Sequence, residues 1–259
     1  MANAFVTSGM FSWVELMTND PKAAKDFYSQ VFGWQFKFES ASDVQYTEIL
    51  VAGRSAGGIM PTPAGCPVPP CWSNYVTVAD IASVVAQAPL LGGSITFGPK
   101  DIPGVGRCAV VRDGQGASLL AIQYAMKTMP ADPSFNPMTT TGAFSWVELM
   151  TSDRAAARRF YGGLFGWTFG KMSDFDYEMV KAGDQAVAGL MGMPPDCPAG
   201  TPPCWSVYVT VTGADETCAK AKELGGKVLV SPRDIPTVGR FAVIQDPQGA
   251  IISLFQWAR

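Results

Sequence analysis

Apolar and polar positions along this chain follow two different periods, and the order of these periods predicts its secondary structure. Residues 13–18 alternate with period two, as a half-buried strand does. Asp20 and Pro21 then supply an N-cap and a proline at the first helical position, and Gly33 stands where a glycine ends a helix. Apolar residues at helical spacing lie between these signals: Ala23, Ala24, Phe27, Tyr28, Val31 and Phe32.

Short runs of strand-forming residues follow this helix, separated by glycine and polar residues. They predict strands at 34–38, 46–51 and 57–60, which completes a βαβββ unit. After a proline-rich loop at 61–70 the same order returns, with a strand at 72–78, a helix at about 80–90, and strands near 95, at 107–111 and at 118–123. Two consecutive βαβββ units are therefore predicted in the first half of the chain.

The whole arrangement is then repeated. The octapeptide at 11–18 returns unchanged at 144–151, an offset of 133 positions, and matching motifs continue to the end of the chain. Four βαβββ units are therefore expected in two tandem domains, at 9–125 and 142–259, joined by a proline- and threonine-rich linker at 126–141. A fused pair of this kind is expected to be a pseudo-twofold monomer, with a dimer as the alternative.

Composition narrows the possible partners and the location. The chain has 259 residues, a formal net charge of −3 and no basic stripe, so we expect no nucleic acid partner. No apolar run is long enough to span a bilayer, and the N-terminus lacks the pattern of a secretory signal, so we expect no membrane partner and a cytoplasmic location. A small-molecule ligand is the expected partner.

The six cysteines do not form the pattern of a disulfide scaffold. Two of them have no counterpart in the other copy, namely Cys108 and Cys218. The other four recur around the proline-rich loops as Cys66 with Cys71 and Cys197 with Cys204. Their spacings match no common zinc pattern, so we interpret them as small buried or loop thiols, with a redox or metal role as the alternative.

Histidine is absent from the entire chain. It is the commonest transition-metal ligand and the usual general base near neutral pH. Both tasks must fall to other residues if the protein performs them.

Several motifs together resemble the vicinal oxygen chelate superfamily, which includes glyoxalase I, bleomycin-resistance proteins and extradiol dioxygenases. The likeness is carried by the segments 13–20, 27–28, 32–34 and 113–123 and by their counterparts 146–153, 160–161, 165–167 and 246–256. The resemblance implies an α+β fold of tandem glyoxalase-like domains. Each domain would contain two βαβββ units whose curled mixed sheets form a concave cup holding the site.

Metal-dependent members of that superfamily place His, Gln or Glu at the start of the first strand and near the end of the last strand of each unit. The matching positions here are Trp13, Trp146, Ser73, Ser206, Leu120 and Ser253. None of these is a competent ligand, so we expect no metal and no other cofactor. The dioxygenase chemistry, which needs two histidines, is excluded, and an isomerase would need Glu15 and Glu148 as unconventional ligands.

Glu15 and Glu148 share a strand face with the tryptophans and are candidate general bases or ligand acceptors, or else partners of Arg107 or Arg240 in structural ion pairs. Arg107 and Arg240 are candidates for clamping an anionic or carbonyl ligand, with pairing to Asp101 and Asp234 as the alternative. Flat or apolar ligands are expected to contact side chains of the open face. These candidates are Trp13, Trp146, Ser73, Tyr75, Ser206 and Tyr208, with Trp72 and Trp205 added to the same aromatic box. Tyr28 and Tyr161 are interpreted as structural.

These observations support three hypotheses for function. The first is a metal-free protein that binds an apolar or aromatic molecule or toxic metabolite, for detoxification or resistance. The second is a glyoxalase-type lyase or isomerase acting on an aldehyde adduct. The third, a purely structural or partner-binding module, is supported by nothing beyond the proline-rich loops.

Overall fold

The computed structural model describes residues 3–39, 45–125, 135–172, 176–198 and 200–258. In the first sequence copy the elements are β1 (Phe11–Thr18), α1 (Pro21–Phe32), β2 (Gln35–Glu39), β3 (Tyr46–Val51), β4 (Arg54–Pro61), β5 (Cys71–Thr77), α2 (Ile81–Leu90), β6 (Ser94–Ile102), β7 (Gly106–Arg112) and β8 (Ser118–Tyr124). In the second copy they are β9 (Phe144–Thr151), α3 (Arg154–Phe165), β10 (Thr168–Lys171), β11 (Tyr177–Ala182), β12 (Gln185–Gly192), β13 (Cys204–Thr210), α4 (Ala214–Glu223), β14 (Lys227–Ile235), β15 (Gly239–Gln245) and β16 (Ile251–Trp257).

Each copy contributes a mixed eight-stranded sheet. The strand order is β2-β3-β4-β1-β5-β8-β7-β6 in the first copy and β10-β11-β12-β9-β13-β16-β15-β14 in the second. Strand β1 runs parallel to β4, whereas β3 and β4 form an antiparallel pair. The predicted fold class, α+β with two βαβββ modules in each of two tandem copies, is confirmed.

The first helix begins and ends at the residues that the sequence indicates. The side chain of Asp20 accepts a hydrogen bond of 2.9 Å from the backbone N–H of Ala23. Gly33 closes the helix in the left-handed conformation, at φ 71°. The apolar face of the helix is buried through Ala24, Phe27, Tyr28 and Phe32.

Strand β6 extends beyond the short segment near Ile95 that the pattern predicts. It runs from Ser94 to Ile102, most of its residues are exposed, and its pairing with β7 contains two register shifts. An exposed, irregular edge strand has no buried face to impose an apolar alternation. The sequence pattern therefore contains little signal for its second half.

The chain divides into two compact units, each of which combines segments of both sequence copies. Unit one comprises Met1–Ser12, Asn74–Asp132 and Trp146–Ser206, and unit two comprises Trp13–Ser73, Pro133–Ser145 and Val207–Arg259. The predicted domains at 9–125 and 142–259 follow the sequence copies, and their boundaries stay a prediction. Residues 126–134 of the predicted linker lie outside the described residues.

The core of unit two packs helix α1 of the first copy with helix α4 of the second. At its centre, the hydroxyl of Tyr28 donates a hydrogen bond of 2.9 Å to Oδ2 of Asp246 and accepts one of 3.0 Å from Nε1 of Trp72. Oδ1 of Asp246 in turn accepts the backbone N–H groups of Gln248, Gly249 and Ala250. A single carboxylate thus ties a β-turn of one copy to the helix of the other.

Unit one repeats this arrangement with the copies exchanged. Tyr161 donates to Oδ2 of Asp113 at 3.0 Å and accepts from Nε1 of Trp205 at 2.9 Å. Oδ1 of Asp113 accepts the N–H groups of Gln115 and Ala117. The structural interpretation of Tyr28 and Tyr161 is therefore confirmed.

Among the described residues, no helix is both long enough and apolar enough to cross a membrane.

We expect Tyr28→Phe to lower the free energy of unfolding by about 1–3 kcal/mol, because Trp72 and the buried Asp246 would each lose a hydrogen-bond partner. Tyr161→Phe is the matched change in unit one. Urea denaturation followed by circular dichroism measures both, with Ser29→Ala as the control, since the Ser29 hydroxyl makes only an exposed hydrogen bond. Unchanged denaturation midpoints in both tyrosine variants would show that these bonds do not stabilise the cores.

Candidate functional site

The first strand separates a core face from a second, partly exposed face. Val14, Leu16 and Thr18 are buried, whereas Trp13 and Glu15 are only partly so. Strand β9 has the same pattern at the corresponding residues. The predicted alternation, which puts the tryptophan and the glutamate of each copy opposite the helix-facing side chains, is confirmed.

Three side chains on this second face of unit two form a hydrogen-bonded chain. Nε1 of Trp13 donates to the hydroxyl of Tyr46 at 2.8 Å. Tyr46 is hydrogen-bonded in turn to the side chain of Glu15. The indole N–H has no lone pair and a carboxylate has no proton, so the chain runs in one direction, from Trp13 through Tyr46 to Glu15. We call these three residues the Trp13 cluster.

A glycine makes room for the tyrosine. Gly58 on β4 lies in register with Glu15 on β1 and with Glu48 on β3, so it stands between two glutamates across the sheet. The hydroxyl of Tyr46 occupies the space directly above Gly58, where a Cβ atom would collide with it. The absent side chain at position 58 therefore allows Tyr46 to reach the carboxylate of Glu15.

The second copy builds an equivalent Trp146 cluster in unit one. Nε1 of Trp146 donates to the hydroxyl of Tyr177 at 2.8 Å, and Tyr177 is hydrogen-bonded to Glu148. Gly189 lies in register with Glu148 and beneath the Tyr177 hydroxyl. The same hydrogen-bonded arrangement therefore occurs in both units.

Both cluster tyrosines are held in the neutral form. Burial raises the pKa of Tyr46 well above its usual range, and the nearby carboxylate of Glu15 raises it further, against the smaller opposing effect of the Trp13 N–H. The pKa of Tyr177 is raised by burial and by Glu148 in the same way. Each tyrosine therefore keeps its proton and acts as a fixed donor to the glutamate.

The candidate serines lie next to recurring thiols. Burial raises the pKa of Cys71, whereas a hydrogen bond from Ser73 lowers it, and Glu15 is close enough to raise it slightly. In the second copy, Sγ of Cys204 lies 3.9 Å from Oγ of Ser206. Burial likewise raises the pKa of Cys204, with a small effect of Glu148, so each serine contacts a protonated thiol near the glutamate of its own cluster. The interpretation of these cysteines as small buried or loop thiols, with a redox or metal role as the alternative, stays a prediction.

The remaining aromatic candidates are more enclosed. Tyr75 and Tyr208 are 4% and 8% exposed, and Tyr208 packs edge-on against Phe255. Trp72 and Trp205 do not belong to an open aromatic box, because they are buried on the core face and donate to Tyr28 and Tyr161. Strand alternation explains this correction, since each tryptophan directly precedes the serine of the open face.

The two arginines pair with aspartates. Nε of Arg107 lies 3.4 Å from Asp101. Arg240 donates from Nε and Nη2 to Asp215 and from Nη1 to Asp234, in an open groove of about 890 Å³. The residues that line this groove include none of the Trp13 cluster and none of the corresponding residues of the second copy. The observed contacts thus agree with the alternative in which Arg107 and Arg240 pair with Asp101 and Asp234. A ligand bound by Arg240 would have to displace a carboxylate.

The residues at the expected ligand positions do not fit a transition metal. Trp13 and Trp146 present an N–H donor that is already used by a tyrosine, and Leu120, which pairs with Tyr75, has no donor atom at all. Across the described part of the chain, no three His, Cys, Asp or Glu side chains lie close enough together to hold a metal ion. These positions therefore do not provide the ligand set that a metal-dependent reaction needs.

Sequence reasoning missed Tyr46, Tyr177 and the glycines beneath them. The copies lose their common register in this segment, because Tyr177 follows Tyr46 by 131 positions and not by 133. A local realignment would have brought the two tyrosines together, and the two glycines with them. Their contact with the tryptophans, however, joins residues 33 and 31 positions apart and needs the sheet register to be seen.

Comparison with known proteins decides the family. The model of the Glyoxalase/Bleomycin resistance protein/Dioxygenase superfamily matches residues 10–119 and again residues 143–254. The chain belongs to this superfamily. Both matched segments contain a complete Trp–Tyr–Glu cluster.

Relatives and solved structures agree with this assignment. The chain is 37% identical over 255 residues to the protein named "Putative glyoxylase CFP32" of Mycobacterium bovis, covering 96% of this chain and 95% of that protein. It is 33% identical over 265 residues to the "Anthracycline biosynthesis protein DauV" of Streptomyces sp. strain C5, covering 96% and 93%. The Mn(II)-bound glyoxalase from Novosphingobium aromaticivorans shares the fold, with a TM-score of 0.62, 14% identity and coverage of 96% and 82%.

We expect Gly58→Ala to displace Tyr46 and to lower the free energy of unfolding by about 1–3 kcal/mol, because the new methyl group would occupy the space of the hydroxyl. Gly189→Ala should act in the same way on Tyr177. Gly170→Ala is the matched control, since its Cβ would meet open space on another strand. Thermal unfolding and near-ultraviolet circular dichroism report the change. Equal behaviour of all three variants would contradict the glycine's role.

Burial raises the pKa of four tyrosines, namely Tyr28, Tyr46, Tyr161 and Tyr177. We expect these four of the seven to stay protonated in the folded protein above pH ~10, where tyrosines of an unfolded chain ionise. The folded state then binds more protons than the unfolded state, so stability falls as the pH rises above ~10. Tyrosinate absorbance, compared with and without urea, measures this. Seven tyrosines titrating together in the folded protein would contradict it.

Proposed function

We propose that the protein binds a small apolar or aromatic molecule at the Trp13 and Trp146 clusters without a metal ion, for detoxification or resistance. The observation that carries this proposal is the tryptophan at the strand position where metal-dependent relatives have a ligand. Its N–H is committed to a tyrosine in both copies. A flat indole beside a neutral tyrosine and a carboxylate offers stacking area and one strong acceptor.

The geometry of each cluster favours orientation of a ligand. The tyrosine cannot rotate freely, because it donates to the glutamate, accepts from the tryptophan and rests above a glycine. Glu15 is only partly buried, and the tyrosine uses one of its acceptor sites. A ligand hydroxyl or amine can therefore bind a carboxylate whose position is fixed before the ligand arrives.

A second candidate is a glyoxalase-type isomerase that uses Glu15 and Glu148 as general bases. The specific observation in its favour is the hydrogen bond from a neutral tyrosine, which holds each carboxylate in place. In such a reaction the glutamate would remove a proton from one carbon of a hemithioacetal and return it to the neighbouring carbon, while the hydroxyl proton moves from the oxygen of the first carbon to the oxygen of the second, so the product is an isomer of the substrate. The names of the relatives, one a glyoxylase and one a biosynthesis protein, leave both candidates open.

The two candidates predict different results in one set of titrations. With 1-naphthalenemethanol as a flat neutral probe, we expect calorimetry to show binding that Trp13→Ala and Trp146→Ala together weaken at least about tenfold, because the stacking surface is lost. Trp257→Ala is the control, since Trp257 packs on Phe255, donates to Thr210 and lines the Arg240 groove, which contains no residue of either cluster. Equilibrium dialysis with zinc and nickel should show no stoichiometric binding.

Isomerase activity toward the methylglyoxal–glutathione hemithioacetal is measured on the same samples. Turnover that requires tightly bound zinc or nickel would overturn the proposal. Metal-independent turnover abolished by Glu15→Gln together with Glu148→Gln would establish the second candidate instead.

A further inference from the structure

The two clusters differ in a row of residues that crosses each sheet beside them. In the first copy, Lys37 on β2 pairs with Glu48 on β3, Glu48 with Gly58 on β4, and Gly58 with Glu15 on β1. Residues opposite each other on neighbouring strands present their side chains on the same face. This row therefore places two carboxylates on the cluster face, with only the glycine between them.

The corresponding row of the second copy has one carboxylate. Gly170 pairs with Met179, Met179 with Gly189, and Gly189 with Glu148. Met179 is partly buried and occupies the position of Glu48. A thioether thus replaces a carboxylate, while the tryptophan, tyrosine, glycine and first glutamate are retained.

The position of Tyr46 makes this difference relevant to a ligand. Neighbouring strands lie about 4.8 Å apart, so the backbones of Glu15 and Glu48 are separated by about 10 Å. The Tyr46 hydroxyl lies above the glycine that separates them. A group bound next to this hydroxyl would stand between two carboxylates in the first copy, and between a carboxylate and a thioether in the second.

The present partners of Glu48 leave it able to bind. Its carboxylate accepts a hydrogen bond of 3.1 Å from Ser55 and lies 4.0 Å from the ammonium of Lys37. The Lys37 side chain is 63% exposed and that of Glu48 is 23% exposed, and the long distance of 4.0 Å between their charges makes this a weak ion pair. Lys37 can therefore turn into solvent when a cationic group approaches, while Ser55 keeps the carboxylate in place.

We propose that the first cluster prefers a ligand with a protonated amine more strongly than the second cluster does, with Glu48 and Met179 determining the difference. This inference rests on the proposed binding function. One chain would then hold two sites of the same architecture and of different charge preference. The competing explanation is that Lys37 and Glu48 form only a stabilising cross-strand pair, which the second copy lost as a unit.

Two probes with the same ring separate these explanations: 1-naphthylmethylamine, which is protonated at neutral pH, and neutral 1-naphthalenemethanol. We expect calorimetry of the unaltered protein to show two sites whose preferences for the amine over the alcohol differ by about tenfold, as a second charge-assisted hydrogen bond allows. Glu48→Gln keeps the shape and removes one of the two charges, so it should lower the amine preference of the first site to that of the second. Met179→Glu, the matched change, should raise the amine preference of the second site to that of the first.

The outcomes distinguish this inference from the function on which it rests. The inference would be overturned if the alcohol binds and the amine has the same affinity for the unaltered protein as for Glu48→Gln. That result would leave the binding function intact. A lower melting temperature of Glu48→Gln with that result would assign Glu48 to the pair with Lys37. Absence of binding by both probes would overturn the proposed function and the inference together.

Discussion

The fold depends on one buried hydrogen bond that occurs twice. In each compact unit a helix tyrosine from one sequence copy donates to the carboxylate of a β-turn from the other, and a core tryptophan donates to the same tyrosine. Burying a carboxylate is costly unless it is fully hydrogen-bonded, and here the turn's own N–H groups complete its partners. The Phe-Tyr and Asp-x-x-Gly motifs therefore mark the two ends of one contact.

This constraint leaves the opposite face of the first strand available for function. Leu16 and Thr18 are fully buried and fix the strand in its core, so Trp13 and Glu15 are presented from a rigid element. All three residues of the Trp13 cluster lie on strands. Its precision comes from sheet register, which sets the glutamate, the glycine and the neighbouring strand side by side.

The sequence predicted what periodicity and local signals specify. Caps at Asp20 and Gly33, the alternation of the first strand and the order of the modules all depend on neighbours within a few residues. It did not predict the partner of Glu15, because Tyr46 reaches it through pairing of three strands. The sequence also did not predict the exposed end of β6, or that each compact unit combines segments of both copies. Neither feature changes the apolar pattern of a single element.

Because each compact unit combines segments of both sequence copies, a substitution in one copy affects the packing of the other. Tyr28 in the first copy is bonded to Asp246 in the second, and Tyr161 in the second to Asp113 in the first. Neither sequence copy forms a core on its own, because each core contains residues of both copies. A substitution at one of these contacts therefore affects both copies, whereas Glu48 and Met179 lie outside them and differ in chemistry.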